Sequence, residues 1–144
     1  MAIEHRTNNM LPLLDGFWMK DNTLLRAEFT RHAEGKRSIA LSAPVPYGSL
    51  PRPKLIPVYA AAHIAVPAFD GTLLFGGLED NGRYYAFFLL IAGKQALVTA
   101  NFTELPPFAH AEVHGTHILL RAMNEETLRV ILSEDAASLT AEIL

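Results

Sequence analysis

The chain contains no cysteine, which excludes a disulfide framework, a thiolate metal centre, a cysteine nucleophile and a dithiol redox pair. It is also poor in charge. Only 19% of residues are charged and the formal net charge is −3, so whole-chain electrostatics point neither to nucleic acid nor to an anionic membrane. Lysine and arginine concentrate in residues 1–54, but Glu28 and Glu34 interleave them, and a solvated sheet face accounts for that. Long apolar runs are missing too. Between Leu55 and Leu78 the sole charged residue is Asp70, yet Pro57, Pro67, Gly71, Gly76 and Gly77 cut the stretch into pieces far shorter than the ~20 residues a spanning helix needs. Met1 to Arg6 lack the apolar core of a secretory signal, and a cytoplasmic location is the expectation. The sequon Asn101-Phe102-Thr103 is then read as chance. No P-loop, dinucleotide fingerprint, nucleophile elbow or zinc-protease helix is present.

What the chain does hold is apolar substance. Half of its 144 residues are hydrophobic, enough for one domain with a core of its own. Turn signals recur at Ala33-Glu34-Gly35-Lys36, Phe69-Asp70-Gly71, Asp80-Asn81-Gly82, Gly93-Lys94 and His114-Gly115. The runs between them predict strands at 22–32, 37–43, 56–66, 72–79, 83–92, 95–102, 109–113 and 117–123. Such short connections make sequential strands antiparallel neighbours. Leu25, Ala27 and Phe29 alternate with Arg26, Glu28 and Thr30, giving one dry and one wet face. Strand 83–92 differs, because Tyr84, Ala86, Phe88 and Leu90 oppose Tyr85, Phe87, Leu89 and Ile91. Both of its faces demand cover.

After the strands, Asn124 reads as an N-cap and Glu125 and Glu126 suit a first helical turn. Leu128, Ile131, Leu132, Leu139 and Ile143 then recur at helical spacing. The expected fold is mainly β: an antiparallel up-and-down meander of about eight strands forming a barrel or strongly curved sheet, with a C-terminal α-helix. Residues 1–16 form an N-terminal arm, 22–123 the meander and 124–143 the helix. The Pro-rich connection over 43–57 is either a lid or a surface tie.

Histidines are the candidate chemical groups. His110, His114 and His117, with Glu112 among them, have the composition of a metal cluster. Pro106-Pro107 and Gly115 argue for a hairpin, on which three ligands do not automatically converge. His5-Arg6-Thr7 and His114-Gly115-Thr116 both spell the H-x-T of a phosphoesterase class, but in an arm and a turn rather than in buried strands. His63 lies in an alanine-rich strand, where Tyr59, Ala61, His63 and Ala65 are expected on one face. Small residues beside a few polar tips are what a ligand cavity looks like, and a satisfied core histidine fits the same pattern.

At Gly16-Phe17-Trp18 the chain resembles the G-x-W opening of lipocalins and related calycin barrels. The resemblance implies an eight-stranded meander followed by a helix, with Trp18 packed across the barrel base. No counterpart of the family's later motifs, including its closing arginine, is found. The functional expectation is a pocket for a small apolar or aromatic ligand lined by Trp18, Tyr59, His63 and Tyr85. Alternatives are a homodimer or partner interface through strand 83–92, a flavin-binding split-barrel enzyme, and a barrel cyclase or isomerase using His63 as acid or base. Nothing in the sequence names a cofactor.

Overall fold

Turn chemistry sets the strand ends. The computed structural model describes residues 10–49 and 54–144, and among these Asn81, Gly82, Gly93 and Gly115 all adopt positive φ at hairpin turns, as tight reversals require. In chain order the strands are β1 (Met10–Pro12), β2 (Gly16–Met19), β3 (Thr23–Arg31), β4 (Arg37–Leu41), β5 (Val45–Pro46), β6 (Leu55–Val66), β7 (Gly71–Asp80), β8 (Arg83–Ala92), β9 (Gln95–Phe102), β10 (Phe108–His114), β11 (His117–Ala122), β12 (Thr127–Leu132) and β13 (Leu139–Ile143). The eight predicted strands thus correspond to β3, β4 and β6–β11. No described helix is long and apolar enough to cross a membrane.

The strands form two antiparallel sheets. The larger runs β1-β6-β7-β8-β9-β2-β3-β4, with β5 on β3, and the smaller runs β10-β11-β12-β13. Only residues 13–15 separate β1 from β2, although four strands lie between them in the sheet. In a flat sheet those two would stand roughly 24 Å apart, and the link spans at most ~15 Å. The large sheet is therefore strongly curled.

Two expectations need correction. Among the described residues no closed barrel forms, since the hydrogen-bonded order ends at β1 and β4 and residues 108–143 leave to build the second sheet. Pro106-Pro107, without N–H donors, cannot extend the ladder at that departure. The C-terminal helix is also absent: residues 127–143 make a β-hairpin in the register Leu128↔Ile143, Val130↔Ala141, Leu132↔Leu139. Leu128, Val130 and Leu132 alternate inward at period two, a pattern that Ile131 disguises as helical spacing. Asn124 does bind the backbone locally, accepting from Glu126 N–H at 3.1 Å, but within a turn where Glu125 has φ 72°. The residue that read as a helix cap serves a hairpin turn instead.

Strand β8 is covered on both faces, as its sequence demands. Ala86, Phe88 and Leu90 enter the main core, which Phe17, Phe75 and Phe102 share with Phe108, Ile118, Leu120, Leu128 and Val130 of the second sheet. Phe87 and Leu89 enter a separate cluster with Leu11, Ile56, Leu78 and Ala96 on the opposite face. Residues 86–90 are buried and paired on both edges, so the centre of this strand offers no open surface for a dimer.

Two polar ties hold the parts together. Asn101 is fully buried. Its Oδ1 accepts from Leu14 N–H at 2.7 Å and Asp15 N–H at 3.2 Å, and its Nδ2 donates to Pro12 O at 2.9 Å. Asp15 Oδ1 in turn accepts from the Thr103 backbone and hydroxyl, both at 2.7 Å. The sequon residues are thus occupied in binding the β1–β2 link. The second tie is Arg37 on β4, which makes a bidentate pair with Glu126 and reaches Glu104 Oε2 at 3.2 Å. It joins the large sheet to the turn before β12.

Two outcomes follow. Asn101→Ala strips the partner from two buried backbone groups and one part-buried one and should cost about 3 kcal/mol in urea unfolding, against about 1 kcal/mol for Thr103→Val. Arg37 hydrogen bonding holds the Glu126 carboxyl below its ordinary value, against an opposing desolvation. A folded-state pKa below the unfolded one contributes stability in full above the ordinary glutamate value of about 4.3, and that contribution fades as pH falls through the lowered value. Wild type should accordingly lose more stability than Glu126→Gln between pH 6 and pH 3.

Candidate functional site

On the curled sheet's face away from the second sheet, paired residues form rows of side chains. One row is Val58–Leu78–Tyr85, the next Ala60–Gly76–Phe87–Asn101, and the third His63–Leu74–Leu89–Thr99–Trp18. The middle row is short of substance, with a methyl at Ala60 and no side chain at Gly76. A groove of about 100 Å³ opens there, lined by Met10, Leu11, Val58, Ala60, Leu74, Phe87 and Leu89. The segment from Met10 carries on past it to the Asn101 anchor. Every lining side chain is apolar.

The alanine-rich strand does leave room, but not in the expected arrangement. A β-bulge between Ala60 and Ala62 shifts the register of β6 on β7, so Tyr59 and His63 point to opposite faces. The bulge is seated on Gly76, where a Cβ would lie 2.3 Å from Tyr59 O and 2.7 Å from Ala61 N. Tyr59 is exposed on the far face, donating to Glu79 Oε2 at 3.0 Å, and that hydrogen bond raises its phenol pKa. His63 is exposed on the groove face. Tyr85 is half-buried one row to the other side.

Trp18 shares this face but belongs to its own cluster with Leu14 and Leu24. It stacks on Tyr47 at 4.1 Å and 11°, and its Nε1–H donates to Asn22 Oδ1 at 2.8 Å. Within the Pro-rich connection, Val45–Pro46 pairs with β3 and Tyr47 covers Trp18. Residues 43–49 therefore act as a tie. Leu55–Pro57, counted with the candidate lid, instead open β6 and pair with β1; residues 50–53 lie outside the described residues, as does His5-Arg6-Thr7.

The remaining histidines do not converge. His110, Glu112 and His114 alternate along one exposed face of β10, with imidazole–carboxylate distances of 3.7 and 3.6 Å. His117 pairs with His114, whereas His110 pairs with Arg121. Among the described residues no group of three or more acidic or histidine side chains has metal-holding geometry. The groove liners Met10, Leu11 and Leu74 carried no distinguishing signal in the sequence. The alanine run and Gly76 were the available clues.

Comparison of the chain with protein-family models, curated proteins and solved structures gives no match.

Because the bulge rests on Gly76, Gly76→Ala should cost about 2–3 kcal/mol through overpacking against the β6 backbone. Exchange-broadened or shifted amide resonances at residues 59–63 would report the displaced bulge.

Proposed function

We propose that the protein is a binding module that takes a small apolar or aromatic group into the groove between β1, β6, β7 and β8. The observation that carries this reading is a groove, open to solvent, whose lining side chains are all apolar. A groove of about 100 Å³ is somewhat smaller than the ~150 Å³ apolar cavity known to admit benzene. One branched aliphatic group or part of a ring fits, with the remainder projecting past His63 or Tyr85. The walls supply dispersion and desolvation, and the polar tips at the margin supply orientation. Trp18 and Tyr59 stand apart from this groove and are not assigned to it.

Indole is a suitable probe. At a hundredfold excess over its dissociation constant it should stabilise the fold by about 2.7 kcal/mol, read as a rise in thermal midpoint. Ala60→Phe fills the groove from an exposed position and should abolish the shift while leaving unliganded stability nearly unchanged. An equal indole shift in wild type and Ala60→Phe would sink the assignment.

A further inference from the structure

The sheet face opposite the groove carries a second feature, beside the point where Ala86 enters the main core. Glu79 on β7 stands between two tyrosines. Tyr84 on β8 is its cross-strand partner, and Tyr59 on β6 donates to its Oε2 at 3.0 Å. The two tyrosines are 53% and 54% exposed, and with Met123 they make three of the five large hydrophobic side chains exposed among the described residues. Pro107 is their floor. Its ring covers Gly77, where a Cβ would lie 2.8 Å from it, and Gly77 pairs with Tyr59 on one side and Ala86 on the other. Met123 is tied to the same spot, its N–H donating to Pro107 O at 2.9 Å. Among the described residues Glu79 has no cationic partner, whereas its neighbour Asp80, on the alternate face, is taken by Lys54 at 2.7 Å.

We propose that this patch binds a small quaternary or multiply alkylated ammonium ion, with Glu79 as its counter-charge and Tyr59 and Tyr84 as flanking rings. The site is separate from the groove and does not depend on it. A carboxylate set in apolar surface attracts a cation, and phenol rings attract one through their electron-rich faces. The alkylation follows from the surroundings. A bare ammonium is tightly hydrated and gains little from proline and ring carbon, whereas an alkylated one presents methyl groups to Tyr59, Tyr84 and Pro107 and still carries its charge to Glu79. The hydrogen bond from Tyr59 engages only Oε2 and holds the carboxylate in place between the rings. That bond is the main cause of the raised Tyr59 phenol pKa, and Tyr84 adds to it, so the two phenols stand within electrostatic reach of each other across Glu79.

The test titrates the full chain with choline and with its neutral carbon isostere, in which a tert-butyl group replaces the trimethylammonium, reading the tyrosine ring resonances by NMR. Choline is expected to shift the rings of both Tyr59 and Tyr84, and the isostere to bind about tenfold more weakly. Glu79→Gln and Tyr84→Ala should each weaken choline by about threefold or more, with far-UV circular dichroism unchanged. Ala60→Phe should bind choline as wild type does. Absence of a choline shift, or equal binding of choline and the isostere, overturns the proposal on the unmodified chain, whatever the variants do. Choline binding that survives both Glu79→Gln and Tyr84→Ala, or that is lost in Ala60→Phe, places the cation elsewhere and overturns it as well. Methyl glucoside shifting both rings where choline does not would assign the patch to a carbohydrate instead.

Discussion

Ala86, Phe88 and Leu90 leave β8 on one side and Phe87, Leu89 and Ile91 on the other, so this strand has to be covered twice. The molecule is arranged around that demand. One cover is the four-stranded sheet β10–β13, brought over the main core after the chain breaks ladder at Pro106-Pro107. The other is the curl of the large sheet, which brings Leu11 and Ile56 onto Phe87 and Leu89. A single flat sheet with one helix would have left one of these faces open.

The two covers meet through a few directional contacts. Asn101 belongs to β9, next to β8, and its side chain bonds to Pro12 at the end of β1 and to Leu14 and Asp15 of the link that carries β1 across to β2. Burial makes those bonds matter, since an unpaired amide at that depth has no water to turn to. Arg37 does the corresponding work between the sheets, and its guanidinium also lies over the Phe29 ring, 5.4 Å from the centroid. Dispersion and desolvation supply most of the stabilisation, whereas these two side chains specify which surfaces meet.

The groove is a by-product of the same geometry. Gly76 has to accept the bulge of β6, so it contributes nothing to the face between Ala60 and Phe87. The bulge also turns His63 toward the groove and Tyr59 away from it. An opening floored by well-buried Phe87 and Leu89 is consequently held by rigid strands, which favours binding without large rearrangement.

The sequence by itself determined the antiparallel strands from Thr23 to Ala122, because turn residues such as Asn81-Gly82 and period-two alternation are local properties. It also determined that β8 needed two covers. It misread residues 124–143, where Leu128, Ile131 and Leu132 suit a helix as well as a strand, and only pairing with β11 and packing on the core decided for the strand. The face of His63 was equally out of reach, since one bulge residue inverts an alternation pattern and leaves no mark in an alanine run. Tertiary structure alone joined Met10 and Leu11 to Phe87 and Leu89. That contact depends on the curl of the sheet, and the curl follows from a three-residue link anchored on Asn101, some 87 residues further along the chain.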